Sequence, residues 1–299
     1  MKKDFFSRAG MLLFFFALAG AGLCAAQTRT DQKLTAAELV ARHLDSIGSA
    51  EARARVHGMN IKGACRLQIR MGGNGQVDGR AVMSSQANLN LINMTFESAD
   101  YPGDSLKFDG KKFTASQFKP GYRTSLAQFF VIHEVLFRDG LIGGTLSSSW
   151  SLADLQQKNP KLEYAGLKKI GGKQMHALKY EPRKGSDIKI TLFFDPETFR
   201  HVRTEYEQTV YATDQTRISG GSGRLPATGP QRSSNAKVTA YEEFSDFKPE
   251  GQLTLPHLYK FELEIQSETR PTLVDWTFTL TDFVYNLPLD AKEFSGQEK

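Results

Sequence analysis

An α+β fold built mainly of antiparallel β-sheet is predicted by three features of the sequence. Apolar and polar residues alternate with period two over much of the stretch between Val56 and Leu280. One capped amphipathic helix precedes this pattern, and one stretch that is apolar on nearly every helical face interrupts it near the middle.

The N-terminus comes first. Lys2, Lys3 and Arg8 stand before the uncharged run 9–26, which is strongly apolar over 11–18 and rich in Ala and Gly toward its end. That basic, apolar, small-residue order is the pattern of a secretory signal. It predicts a signal peptide at 1–26, cleavage after Ala26, a single mature β domain over 27–299 and a periplasmic location. Two alternatives stay open: an uncleaved anchor through 9–26, a run just long enough to span a bilayer, and lipidation of Cys24, although Leu23 occupies the position where a lipobox wants a small residue.

If Cys24 leaves with the signal, Cys65 remains alone and no intramolecular disulfide can form. The fold must then rest on its core, and the mature chain is long enough to bury one. The formal charge is +5, of which the first 26 residues carry +2 (Lys2, Lys3 and Arg8 against Asp4), leaving +3. Lys and Arg are dispersed among Asp and Glu without a basic block, so a nucleic-acid groove is not expected. A weak attraction to a membrane surface is compatible with this charge.

The helix has complete end signals. Thr35 is placed as N-cap with Glu38 as its capping-box partner, Leu34 and Leu39 are placed as a hydrophobic staple, and Gly48 stops the element. Leu39, Val40, His43, Leu44 and Ile47 make one apolar stripe. From Val56 the period changes to two, with Leu67, Ile69 and Met71 alternating against Gln68 and Arg70, before Gly72, Gly73, Asn74 and Gly75 turn the chain. Further strands are predicted at 87–98 and 106–118, the latter turning at Asp109 and Gly110.

Residues 124–138 read as a helix that cannot sit on a surface, because Leu126, Phe129, Phe130, Val131, Ile132, Val135, Leu136 and Phe137 fill most of its circumference. Gly140, Gly143 and Gly144 follow as a flexible link toward a short helix near 152–157, so that 124–157 forms an apolar helical insert. Strands resume at 162–167, 174–180, 188–194 and 199–211, with a turn at 195–198. Residues 218–235 are rich in Gly, Ser and Pro and are predicted to be a flexible loop. Tyr259, Phe261, Leu263 and Ile265 alternate without error against polar neighbours, as do Trp276, Phe278 and Leu280.

Catalytic and metal motifs fail one by one. His133 and Glu134 begin like a zinc-protease helix, but Phe137 stands where the second His is required. Ser222 lacks the nucleophile-elbow spacing because Arg224 replaces a glycine. Gly110 and Lys111 lack the glycine and the hydroxyl residue of a phosphate loop. The six histidines are scattered, and Glu242 and Glu243 would point to opposite faces of a strand. No enzyme activity, metal or cofactor is expected.

Four short phrases carry a family likeness: 38–48 (ELVARHLDSIG), 190–198 (ITLFFDPET), 244–247 (FSDF) with Leu255 and Pro256, and 283–290 (FVYNLPLD) with Phe294. Together with the order of helix, strands, apolar insert and strands, the chain resembles the periplasmic lipoprotein-carrier and lipoprotein-acceptor superfamily, LolA and LolB and their lipid-binding relatives. The resemblance implies an incomplete, half-open β-barrel wrapping helices, with helices over its mouth and an apolar cavity for acyl chains. It also implies an arginine that helps hold the closed state; Arg66, Arg70 and Arg80 are candidates, and none is singled out.

The expected lipid-binding residues are Phe129, Phe130 and Phe137 of the insert with Phe261, Leu263, Ile265, Trp276, Phe278 and Leu280 of the sheet. A concave sheet lined by the latter would leave a larger dry surface than monomers usually expose. Either the insert fills it permanently, or the insert yields to an acyl chain. The expected function is therefore non-enzymatic binding and carriage of lipid or lipoprotein acyl chains toward the outer membrane, by a monomer with transient membrane contacts. The rival is a structural or sensory protein-interaction module of the same fold with a self-filled cavity.

Overall fold

The computed structural model describes residues 34–71, 75–117, 121–183, 186–210, 236–266 and 271–296. The expected signal segment, Cys24 and the loop 218–235 lie outside the described residues.

The first helix, α1 (Ala36–Ile47), starts where its cap signals place it. Thr35 Oγ1 accepts from the Glu38 N–H at 3.2 Å, and Glu38 Oε2 accepts from the Thr35 N–H at 2.8 Å, so two otherwise unpaired donors are satisfied reciprocally. Its stripe of Leu39, Val40, His43 and Ile47 is buried. A short second helix, α2 (Ala50–Ala54), follows, capped by the Ser49 side chain.

Among the described residues, twelve strands form one antiparallel sheet. β1 (Gly58–Met71), β2 (Gly75–Gln86), β3 (Leu89–Phe96), β4 (Ser105–Phe108) and β5 (Phe113–Ala115) step outward to one edge. β6 (Lys161–Ile170) forms the other edge, and β7 (Lys173–Glu181), β8 (Lys189–Phe194), β9 (His201–Val210), β10 (Ala236–Glu250), β11 (Leu253–Gln266) and β12 (Thr272–Tyr285) return from it to pair with β1. The sheet does not close, because β5 and β6 are both edges. Asp109 makes the β4–β5 turn as its neighbours predict: its Oδ1 accepts from the N–H groups of Lys111 and Lys112 at 2.9 and 2.8 Å.

The sheet is strongly curled. In a flat sheet, β5 and β11 would lie about 29 Å apart at ~4.8 Å per strand. Here Phe113 of β5 and Phe261 of β11 both touch Phe130, at centroid distances of 6.4 and 5.3 Å. A single core cluster accordingly takes residues from α1, from the insert and from strands at both ends of the sheet. The architecture is α+β, mainly antiparallel β, an open sheet curled around helices, as expected.

Two elements depart from expectation. β10, a fifteen-residue strand, carries no strand prediction although it lies between two that do. The stretch 124–138 is two helices, α3 (Ser125–Ile132) and α4 (Val135–Arg138), broken at His133. A straight helix with apolar side chains on every face would leave one face uncovered. The break lets Phe129, Phe130 and Phe137 all turn inward, and the buried His133 ring meets Gln208 Oε1 at 2.8 Å. A 3-10 turn at Gly144–Leu146 and α5 (Leu155–Lys158) complete the insert. Among the described residues, no helix is long and apolar enough to cross a membrane.

Candidate functional site

The insert joins the two edge strands of the open sheet, and from Ser125 to Lys158 none of its residues belongs to a strand. It therefore covers the inner wall with side chains while the sheet's own ladder is complete without it. Aromatic rings make most of the cover. Phe130 lies 5.2 Å from Phe129, 5.1 Å from Phe137 and 5.3 Å from Phe261, and Phe261 lies 6.1 Å from Trp276, its partner in the β11–β12 register. All five side chains are buried.

The remaining expected residues are spread along the same wall. Leu263 is buried beside this cluster, opposite Val274. Phe278 stacks on Tyr259 at 5.0 Å, which stacks in turn on Phe244 at 5.2 Å. Ile265 and Leu280 lie toward opposite ends of the β11–β12 pair, about 27 Å apart at ~3.4 Å per residue. Leu280 is buried and Ile265 half-buried. The structure thus brings Phe129, Phe130, Phe137, Phe261, Leu263 and Trp276 together and strings the other three along a continuous apolar strip.

Polar side chains pin the cover at separate points. At its start, Thr124 caps α3 and donates to Asp104 Oδ1 at 2.8 Å. Asp104 also accepts from Tyr101, whose hydroxyl oxygen accepts from Trp276 Nε1 at 3.1 Å. Burial pushes the Asp104 carboxyl up, against the lowering effect of these hydroxyl donors. At its middle, the Tyr180 hydroxyl donates to Asp139 Oδ2 at 3.0 Å. Farther on, the N–H of Ser148 donates to Ser85 Oγ at 2.9 Å.

The central pin is Glu242. It sits in β10 among Val238, Ala240 and Phe244, all buried, and is itself fully buried. It accepts from Tyr206 at 2.5 Å, from Tyr259 at 2.7 Å and from the backbone N–H of Gly143 at 2.7 Å. Burial dominates those three donors and raises the carboxyl to about 7. Glu243 points to the opposite, exposed face and pairs with Arg203. The backbone of Gly143 and Gly144 presents this N–H through left-handed φ values of 78° and 51°.

The sequence places Glu242 and Glu243 on opposite faces of a possible strand but gives Glu242 no role, because β10 is not among the predicted strands. One signal pointed to it: Val238, Ala240, Glu242 and Phe244 share a face, which puts one carboxylate in the apolar phase of a strand. As for the arginines, Arg66 pairs with Asp78 at 2.6 Å and Arg70 with Asp275 at 2.5 Å, while Arg80 is exposed. The sheet-to-insert contact at the centre belongs to a carboxylate.

Burial pushes the Cys65 thiol up to about 12, so it is protonated at neutral pH and a poor nucleophile. No group of three or more His, Cys, Asp or Glu side chains among the described residues is placed to hold a metal.

No family model matches the chain, and no curated protein matches it. Among solved structures it is similar to a LolA superfamily protein from Nitrosomonas europaea, at 13% identity and a TM-score of 0.44, over 88% of this chain and 98% of that one. It is similar to a DUF1329 family protein from Desulfovibrio piger, at 9% identity and 0.44, over 87% and 97%. A putative outer membrane lipoprotein-sorting protein domain from Vibrio parahaemolyticus is similar at 11% identity and 0.41, over 85% and 97%.

Proposed function

We propose that this protein is a non-enzymatic, exported acyl-chain binding protein that carries lipid or lipoprotein chains through the periplasm toward the outer membrane, with the insert occupying the acyl site at rest. The observation that carries this reading is the way the cover is built. Its Phe129 and Phe130 rings pack against Phe261, which in turn meets Trp276, yet the insert contributes no strand, so it can leave the wall without breaking a sheet hydrogen bond.

The energies are commensurate. Burying a chain of about 16 carbons at roughly 0.8 kcal/mol per CH2 yields on the order of 10 kcal/mol gross. Against it stand the buried rings of the insert, each worth about 1.5 to 3 kcal/mol, and a handful of hydrogen bonds at about 1 kcal/mol net each. Displacement of Phe129, Phe130 and Phe137 alone, rather than of the whole insert, therefore lies within a few kcal/mol of balance, as a carrier that must also release requires.

Native mass spectrometry of protein isolated from the periplasm, together with titration of a fluorescent fatty acid, tests the proposal. A co-purifying acylated ligand or saturable uptake supports it. Absence of both overturns it.

The interlocked rings favour one second reading. Phe113, Phe129, Phe130, Phe137, Phe261 and Trp276 are all buried within the chain itself, which is what a self-filled interaction module would show. Recovery of one stable protein partner without lipid would support that alternative.

A further inference from the structure

A cleft of about 620 Å³ opens beside the end of α4, between the turn joining β2 to β3 and the start of α5. It is separate from the acyl strip but touches it. Phe108 and Phe137 line the cleft, and Phe137 is in edge contact with Phe130 at 5.1 Å, the ring at the centre of the aromatic cluster.

The rest of its wall is polar and unevenly charged. Arg138, Lys158 and Arg183 line it together with two carboxylates, Asp139 and Asp154. Arg138 lies 3.5 Å from Asp139, which also accepts from Tyr180. Lys158 donates to the carbonyl oxygen of Ser151 at 3.2 Å, and burial lowers its ammonium group below the usual range. Arg183 has neither hydrogen bond nor ion pair among the described residues. In addition, Ser148, one of the residues lining the cleft, has a buried hydroxyl with no hydrogen-bond partner, although its own N–H is satisfied by Ser85. A buried donor without an acceptor, next to incompletely neutralised cations, is the complement of an oxyanion.

We infer that this cleft binds an oxyanion of the phosphate class and seats the charged headgroup of an amphiphile whose acyl chain runs from Phe137 past Phe130 toward Phe261. Arg183 and Lys158 supply charge, Ser148 supplies a fixed donor, and Phe108 with Phe137 form the floor where the tail begins. The headgroup assignment rests on the acyl-binding proposal, whereas the oxyanion site itself does not.

The test titrates the full chain with dodecyl phosphate, with dodecyltrimethylammonium, which has the same tail and opposite charge, and with inorganic phosphate. Arg183→Gln and Lys158→Gln are titrated alongside; both side chains lie outside the aromatic cluster, and circular dichroism checks that the variants fold. Dodecyl phosphate is expected to bind about tenfold more tightly than the ammonium amphiphile, and each variant to lose most of that preference through weaker binding of dodecyl phosphate. Binding of inorganic phosphate alone, sensitive to Arg183, would support the oxyanion site with a free anion as its source and overturn the headgroup assignment. Equal binding of both amphiphiles, insensitive to either substitution, would overturn the site while leaving acyl binding intact. No binding of any probe would overturn both.

Discussion

The backbone N–H of Gly143, in the turn of the insert, donates to the carboxylate of Glu242, in the middle of β10, at 2.7 Å. Both residues are buried, so the cover is fastened to the sheet by a group whose charge is costly to keep there. Because the Glu242 carboxyl is raised to about 7 in the fold from an ordinary 4.5, the folded protein holds a proton between those values that the unfolded chain has released. The stability that this residue contributes is complete below about pH 4.5 and is lost as pH rises through about 7. Urea midpoints of the wild type should therefore fall with rising pH from 5 to 8 relative to those of Glu242→Gln, in which this contribution does not titrate. An unchanged slope in the variant would remove Glu242 as its source.

On the acid side the opposite sign applies, and two rings supply it. His43 of α1 and His201 of β9 lie 6.0 Å apart, both buried. Burial, and the proximity of Arg53 to His43 and of His43 to His201, lowers them from 6.5 to about 4 and about 3. Both stay neutral in the fold at a pH where the unfolded chain takes up protons. Stability held above pH 6.5 is accordingly lost as pH falls from 6.5 toward 3 to 4. With Glu242 acting at the other end, a dome near pH 6 to 7 is expected for these groups. His43→Gln should start less stable at pH 7, through loss of the ring packed on Phe194, yet show a shallower decline down to pH 4 in the same urea experiment.

How much of this was legible in the sequence follows from where each signal lives. The α1 cap, the Asp109 turn and the β11 and β12 alternation are local patterns, and each appears where it was read. β10 was hidden because its apolar phase includes Glu242 and its buried polar residues include Thr239, so alternation by residue type is blurred. The fold repairs that blur at long range, through Tyr206 and Tyr259 on the two neighbouring strands. The aromatic lining was legible as composition, but which rings meet was not. Phe113 enters the cluster only because the sheet curls β5 over toward β11, and no spacing rule carries that.

Gly144 tests how tightly the turn of the insert is seated. It has a φ of 51°, and a Cβ there would lie 2.9 Å from His201 Nδ1 and 3.0 Å from Phe244 Cζ. Gly144→Ala therefore meets both backbone strain and ring contacts, for a loss of about 2 to 4 kcal/mol. Gly166→Ala is the control: its φ is 79°, but nothing lies within 4 Å of the added atom, so only the strain of about 1 kcal/mol remains. Thermal or urea unfolding of the two variants reads the difference. Equal losses would mean that the turn is not packed against β9 and β10 in solution.

Phe130 separates the two readings of the cover. Its ring touches Phe113, Phe129, Phe137 and Phe261, so Phe130→Ala should cost about 3 to 5 kcal/mol through lost burial and a cavity between the insert and the wall. If the insert stands in for an acyl chain, the vacated strip is continuous with the room a chain would occupy. Saturating dodecanoate should then restore most of the lost stability in the variant, at roughly 1.4 kcal/mol for each tenfold excess over its dissociation constant. A self-filled module predicts an isolated hole the size of one ring, which a twelve-carbon chain does not enter. In that case the variant stays destabilised by the full amount at every dodecanoate concentration, and the acyl-binding proposal fails with it.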